Sequence, residues 1–399
     1  MRVVVVAEYY PRAADPVLGV WAHRQALAAR DAGADVRVLV LHRPVPSRSA
    51  LASGRLAPVI APLRQAPVAE LDGIQVWYVP FLAPPRAHAY ASWGAWAAPS
   101  LTLALRALRR SFPFDLVHAH YAAPPADAVR RSRPGVPIVI SVHGGDVYAV
   151  ARGSKGRRAV EGAFAAARLV LANSAMIERR CQALGAGRTR LVHLGTDIPE
   201  PGYEPDRVRA ASEACIVTVG HLISRKRHAD VLRALWLLRN EEPGLRWVVV
   251  GDGPERAPLA RLAAELGLAG RVQFTGALPH ERAVAAARSA RAFVLPSIDE
   301  AFGVAYVEAM AGGVPAIGCG GEPGPEEIAR CGGGIRLVPP CDATALAREL
   351  HALVADWSLR VRLGEQARAT VAEHFTWEKC GRDTVAAYDE ALALGGHAR

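Results

Sequence analysis

Lysine is nearly absent: of 48 Lys+Arg residues only Lys155, Lys226 and Lys379 are lysines. In so arginine-biased a chain, Lys226 beside Arg225 points to a use for a compact point charge rather than a planar fork. Chance surface placement is the alternative. Long apolar runs are missing as well. The run Val3 to Ala7 is far below membrane-span length, and nothing at the N-terminus reads as a signal peptide, so a cytoplasmic protein is expected. The six cysteines, at 181, 215, 319, 331, 341 and 380, form no C-x-x-C or zinc-type spacing and are expected as buried free thiols. No zinc-finger or RNA-binding signature is found and aromatics do not interleave with the basic residues, so nucleic acid is not an expected partner.

What is present suits a large α/β protein. The chain has 399 residues, 51% hydrophobic and 22% charged, which favours two domains with substantial cores. Charge is uneven: residues 1–198 hold 25 Lys+Arg against 12 Asp+Glu, and residues 199–399 hold 23 against 26. The arginine clusters at 106, 109 and 110, at 130, 131 and 133, and from Arg152 through Lys155 to Arg158 suit an anionic membrane or a phosphorylated partner. A merely solvated face is the plainer alternative.

Short apolar runs alternate with helical patterns, the signature of parallel sheets covered on both faces. In the first half they are Arg2 to Ala7, Val36 to Leu41, Ile74 to Val79, Leu116 to Ala119, Ile138 to Val142, Leu169 to Ala172 and Arg190 to Leu194. The stretches Arg43 to Pro67 and Phe81 to Ser100 read as long surface loops or small excursions, with an acceptor-binding role open to them. Pro199, Pro201, Gly202 and Pro205 mark an interdomain linker. A second series follows: Ile216 to Val219, Trp247 to Val250, Val272 to Thr275, Ala292 to Leu295, Ala316 to Gly318 and Ile335 to Val338. The expected organisation is two facing Rossmann-like domains, 1–198 and 199–376, with a cleft between them. A helical segment, 377–399, packs back on the first.

The stretch Pro296 to Pro315 carries the densest chemistry. It reads P-S-I-D-E-A-F-G-V-A-Y-V-E-A-M-A-G-G-V-P and puts Glu300 before, and Glu308 inside, a helix that opens at Phe302-Gly303-Val304. First-turn N–H groups lack intrahelical partners and favour an anion, and the two carboxylates offer hydrogen-bond acceptors for hydroxyls. That combination suits a phosphorylated sugar at the carboxyl end of a strand. An ordinary amphipathic helix is the competing reading.

Other strand ends add to it. The run Ile216 to Val219 leads into Gly220-His221-Leu222-Ile223-Ser224-Arg225-Lys226, two cations able to neutralise a departing diphosphate. Gly251-Asp252-Gly253 follows Trp247 to Val250, but Arg256 stands where the dinucleotide fingerprint needs glycine, so NAD binding is not expected. Gly19 precedes a helix expected from Val20 and lets backbone approach a ligand. His143-Gly144-Gly145-Asp146 ends one strand and His118-Ala119-His120 another. His143 is placed to bond a sugar hydroxyl. His118 and His120 are either acceptor-side residues with Asp146 or core histidines bonded to backbone. A metal site built from these four lacks the spacing that would fix its geometry.

In order, H-G-G-D, G-x4-R-K, G-D-G-P and E-x-F-G-x4-E-A-M-A-x-G-x-P resemble the family 4 glycosyltransferases of the GT-B fold over nearly the whole chain. The opening D-P-V-L-G-V-x4-Q-A-L-A, with D-L-V-H-A-H-Y, is most similar to the bacterial teichuronic-acid and exopolysaccharide branch. The resemblance implies a retaining transferase that uses a nucleotide-diphosphate sugar, with neither cofactor nor catalytic metal. Arg225 and Lys226 would hold the diphosphate, Glu308 the ribose and Glu300 the donor sugar. Phe302 to Val304 would seat sugar and phosphate, His143 would face the sugar, and Gly19 would lie near the phosphates, with Gly220 and Gly253 in the supporting turns. Two departures stand out: Gly19 is single where many relatives pair glycines, and Gly320 to Glu327 is rich in proline.

The expected function is transfer of a sugar to a hydroxyl-bearing glycan, lipid or small-molecule acceptor, as in polysaccharide biosynthesis. The basic first domain suggests peripheral contact with the inner face of the plasma membrane. A sugar-nucleotide epimerase and a non-catalytic nucleotide-sugar-binding protein are the alternatives. Donor incubated alone separates the first, and binding without turnover marks the second.

Overall fold

The computed structural model describes residues 1–46, 51, 54, 56–200 and 215–394. They form two compact units, one of Met1–Leu194 with Trp377–Arg399, the other of Gly195–Thr376. Pro201, Gly202 and Pro205 of the expected linker lie outside the described residues, as do 47–50, 52, 53 and 55 of the expected Arg43 to Pro67 excursion.

The first unit is built on an eight-stranded sheet in the order β3-β4-β2-β1-β5-β6-β7-β8. Its strands are β1 (Arg2–Ala7), β2 (Asp35–His42), β3 (Val68–Leu71), β4 (Ile74–Pro80), β5 (Leu116–His120), β6 (Ile138–Val142), β7 (Leu169–Ala172) and β8 (Thr189–Leu191). Only β3 runs antiparallel, as an edge hairpin partner of β4. The central β1 is buried from Val3 to Ala7, as a strand covered on both faces requires.

Helix Val20–Asp31 covers one face and packs on helix Trp377–Ala393. The approach is close: a Cβ on Gly381 would lie 2.1 Å from the Ala28 carbonyl oxygen. Cys380, Ala387, Tyr388 and Ala391 join Val3, Val5 and Val38 in one apolar core, so this helix is part of the first unit's interior.

Two readings need correction here. Phe81 to Ser100 is not a loop: it contains a short helix, Arg86–Ala89, and the start of the long helix Trp93–Ser111. Its Pro99 is the seventh helical residue, and tertiary packing overrides the local penalty. The last strand also sits earlier than Arg190 to Leu194, at Thr189–Leu191.

The second unit has a six-stranded parallel sheet, β11-β10-β9-β12-β13-β14. The strands are β9 (Cys215–Val219), β10 (Arg246–Val250), β11 (Val272–Gly276), β12 (Ala292–Val294), β13 (Ala316–Cys319) and β14 (Ile335–Val338). Trp247, Tyr306, Phe293 and Phe375 are its largest fully buried side chains. Both units are therefore Rossmann-like α/β layers. All six cysteines are free, and no helix among the described residues is long and apolar enough to cross a membrane.

Candidate functional site

In the second unit the order reverses between β9 and β12: β9 continues to β10 on one side, while β12 on its other side comes from later in the chain. Ligands of open α/β sheets bind at the carboxyl ends of such neighbours. The two loops that leave these strands are joined directly. The Ile298 N–H donates to the Arg225 carbonyl at 2.8 Å, and Arg225 Nη1 reaches the Asp299 carbonyl at 3.3 Å.

Their side chains meet as well. The Lys226 ammonium bonds the Glu300 carboxylate, and Arg225 Nη1 lies 3.8 Å from the same oxygen. Lys226 and Glu300 are buried, at 9% and 7% exposure, which rules out a solvated face for Glu300. Burial alone would raise the Glu300 carboxyl, but Lys226 and Arg225 override it and hold the group below the usual carboxylate range. Burial also pulls the Lys226 ammonium down against the attraction of Glu300.

The next segment turns into helix Val304–Ala311. Gly303 caps it at φ 80°, and a Cβ there would sit 2.5 Å from the Tyr306 ring. Only glycine lets the chain enter the helix at this angle. Phe302 is buried and stacks edge-on with Phe375 at 5.5 Å. Val304 opens the first turn, and Glu308 lies one turn on, part-buried, with His280 Nε2 3.6 Å from its carboxylate. Gly220 donates to the Val250 carbonyl at 3.0 Å, and Leu222 N–H to the Asp252 carbonyl at 2.9 Å. These bonds fix the turns that hold Gly220 and Gly253.

Sequence reasoning missed Glu322. The proline-rich stretch Gly320 to Glu327 becomes the start of helix Pro323–Cys331, and Glu322 accepts the Glu300 backbone N–H at 3.1 Å. Gly324 N–H donates to the Glu300 carbonyl at 2.8 Å. The stretch therefore holds Glu300 at both of its backbone groups. A carboxylate 22 residues from its partner leaves no local pattern to read.

In the first unit, His143 follows β6. Trp21, on the first turn of helix Val20–Asp31, packs against it with ring centroids 4.0 Å apart and planes tilted by 43°. Gly19 caps that helix at φ 67°, where a Cβ would lie 2.2 Å from the Tyr9 carbonyl carbon. Gly19 and His143 thus share one neighbourhood through Trp21, a residue that sequence reasoning did not single out.

His143 Nε2 pairs with His120 Nδ1 at 3.1 Å, while His120 Nε2 is buried without a partner. An orphaned lone pair costs less than an orphaned N–H. The proton therefore belongs on His120 Nδ1, His143 Nε2 accepts it, and Nδ1–H of His143 is left as a donor. Burial keeps both rings neutral, pushing His143 well below its ordinary value and His120 down to about 3.

His118 is a core residue. Fully buried, it pairs through Nδ1 with the Tyr388 hydroxyl and through Nε2 with Ser141, both at 2.8 Å. Its partners are side chains rather than the expected backbone, and both ring nitrogens are engaged, which removes it from the acceptor side. Asp146 is buried and accepts N–H groups from Ala122 at 3.0 Å, Val147 at 3.2 Å and His143 at 3.3 Å. It fastens the turn that carries His143. Desolvation nonetheless raises it to about 6.

Residues 18–199 match the family described as Glycosyltransferase Family 4, and residues 204–370 match Glycosyl transferases group 1. The chain is 30% identical over 333 residues to a D-inositol 3-phosphate glycosyltransferase of Streptomyces bingchenggensis, covering 75% of this chain and 69% of that protein. It is 34% identical over 168 residues to the lipopolysaccharide core biosynthesis glycosyltransferase LpsE of Rhizobium meliloti, covering 42% of this chain and 47% of that protein. The second match therefore spans less than half of its relative. Among solved structures, sucrose-phosphate synthase of Thermosynechococcus elongatus aligns with a TM-score of 0.79 at 21% identity, covering 98% of this chain and 100% of that one. HepE of Anabaena, in complex with UDP and glucose, aligns at 0.71 and 18%, covering 98% and 99%. At these identities the structural likeness is one of fold.

Proposed function

The chain belongs to the family 4 glycosyltransferases of the GT-B fold, and from that premise we propose that it moves a sugar from a nucleotide-diphosphate donor to a hydroxyl-bearing acceptor. The observation that carries this reading is the joining of Arg225, Lys226, Glu300 and the Gly303 helix start in one connected cluster at the carboxyl ends of β9 and β12. A diphosphate needs cations and unpaired N–H groups, and the cluster supplies both. A sugar and a ribose need hydroxyl acceptors, and Glu300 and Glu308 supply those.

The second unit holds the donor and the first holds the acceptor in this reading. The UDP and glucose bound to HepE support a nucleotide-sugar donor. The reaction retains anomeric configuration, as the family resemblance implies. The acceptor oxygen bonds the anomeric carbon on the face from which the diphosphate departs, and its proton passes to a phosphate oxygen of the leaving group. Arg225 and Lys226 neutralise the charge that develops there, the task magnesium performs in other transferases. No cofactor or metal is required. The Nδ1–H of His143 is proposed to bond a donor-sugar hydroxyl. Polysaccharide, lipid-linked and small-molecule acceptors all present the required hydroxyl, and peripheral membrane contact is part of the proposal.

Thermal shifts with UDP, GDP, ADP and dTDP identify the nucleotide, and transfer assays with its sugars follow. Glu308→Ala and Lys226→Ala are expected to abolish transfer. Wild-type turnover by both variants would remove the site assignment, and isomerised donor formed without acceptor would mean an epimerase.

A further inference from the structure

The first unit contains a pocket of ≈ 1420 Å³ that none of the residues discussed so far explains. Glu8 lines it, directly after β1 and therefore at the carboxyl end of the central strand. The Glu8 side chain is only 9% exposed. Its Oε2 accepts the Tyr90 hydroxyl at 2.7 Å, and its Oε1 lies 3.4 Å from Arg86 Nη1.

Arg86 is held flat rather than left to wander. Its guanidinium lies 3.8 Å from the Tyr90 ring centroid and 5.4 Å from that of Tyr9, and it also bonds the Tyr9 hydroxyl. Yet half of its side chain stays open to the pocket. Nη1 faces Glu8 and Nη2 bonds Tyr9, so each terminal nitrogen keeps a second N–H for a further acceptor.

The remaining charges have one sign. Arg12, Arg43 and Lys155 also line the pocket, so four cations face one carboxylate. Arg12 Nη2 bonds the Leu41 carbonyl at 3.2 Å, while its Nε is buried without a partner. Arg43 is braced over Trp93 at 5.3 Å, with Nε on the Ala83 carbonyl at 2.9 Å. The donor diphosphate does not account for them, because Arg225 and Lys226 in the second unit already serve it. Four cations are also more than a neutral glycan needs. Tyr9, Tyr90 and Tyr121 add ring faces of the kind that pack on a sugar or polyol.

We infer that this pocket binds an acceptor that is both hydroxylated and anionic, a sugar or polyol bearing a phosphate, with Arg86 gripping the anion and Glu8 accepting a ring hydroxyl. The inference rests on the transferase reading above and names the acceptor class for it. Arg86 suits the task because a guanidinium presents paired donors to a phosphate.

The test is calorimetric binding of inorganic phosphate, sn-glycerol 3-phosphate and D-glucose 6-phosphate against glycerol and D-glucose, with dihexanoyl phosphatidylglycerol as the lipid arm. At least one phosphate compound is expected to bind about tenfold or more tighter than its neutral counterpart, the scale of one charge-assisted contact. Arg86→Ala should lose that advantage and Arg86→Lys keep part of it, with nucleotide affinity unchanged in both. Preference for the soluble compounds or for the phospholipid identifies the source of the anion. Equal binding of neutral and phosphorylated compounds, or an advantage untouched by Arg86→Ala, overturns the inference. Absence of phosphate selectivity in the wild-type protein, with nucleotide binding intact, sinks only this inference, whereas absence of any nucleotide binding by wild-type protein sinks the transferase reading.

Discussion

The Lys226 ammonium and the Glu300 carboxylate form a buried ion pair across 74 residues of sequence. The pair ties the loop after β9 to the loop after β12, and Arg225 approaches the same carboxylate from the more exposed side. One contact thus sets the positions of both the cations and the acid. The ammonium carries three N–H donors, and Glu300 occupies one of them.

Removing one member is expected to damage stability and activity separately. Lys226→Met strands a buried carboxylate and should cost about 3–5 kcal/mol in urea denaturation. Adding Glu300→Gln removes the stranded charge and should restore most of that loss while transfer stays absent. A double variant as unstable as the single would mean that the loops are held together by something other than this pair.

Gly303→Ala tests the helix entry. At φ 80°, with a Cβ only 2.5 Å from the Tyr306 ring, alanine must move either the ring or the turn, at about 1–3 kcal/mol. Because the same turn presents the first-turn N–H groups, nucleotide affinity should fall together with thermal stability. Unchanged affinity in a destabilised variant would remove the helix start from the donor site.

Most strands were legible because parallel strands covered on both faces are continuous apolar runs, as in Arg2–Ala7 and Ile138–Val142. The strand Val68–Leu71 was missed because it is a half-exposed edge with Glu70 inside it, and no apolar run marks it. Helix Trp93–Ser111 opens W-G-A-W-A-A-P, and its glycine and proline read as a loop until packing is known. At the cluster around Glu300 each motif could be read from its place at a strand end. The pairings did not: Glu322 with Glu300, Trp21 with His143 and Glu8 with Tyr90 join residues 22, 122 and 82 apart, which no local pattern encodes.

Acid should destabilise the fold below neutral pH. Burial keeps His118 and His143 well below their ordinary values and lowers His120 to about 3 and His228 to about 4. Unfolded histidines take up protons near about 6.5, and the native ones only at lower pH, so between the two the unfolded state binds more protons and stability falls as pH falls. Asp146 opposes this. Its native value of about 6 lies above the unfolded one, so its protonation stabilises the fold as pH drops from about 6 toward 4. Burial raises Glu8 and Glu322 too, but it also lowers His23 and His42, so the histidines outnumber the acids. The urea midpoint should therefore be lower at pH 5 than at pH 7, with a smaller difference in His228→Phe. A midpoint equal or higher at pH 5 would show that these rings are not buried neutral in solution.

The arginine groove of the first unit makes the membrane proposal testable. Arg106, Arg109, Arg130, Arg131 and Arg133 line a depression of ≈ 700 Å³. Buried Asp127 engages Arg130 at 2.6 Å and Arg131 at 2.9 Å, which tethers those two. Arg109 lies over Phe114 at 4.3 Å with its Nη2 buried and unpartnered, while Arg106 and Arg133 are exposed. Basic residues near an anionic surface contribute about 1 kcal/mol each, and the attraction fades within a Debye length. Sedimentation with phosphatidylglycerol vesicles should therefore be strong at low salt and weak at high salt. Substituting Arg106, Arg109 and Arg133 together with alanine should weaken it by about 3 kcal/mol, or roughly 100-fold. Binding that ignores both salt and the triple substitution would place any membrane contact elsewhere, and absence of binding at low salt would remove the membrane from the proposal altogether.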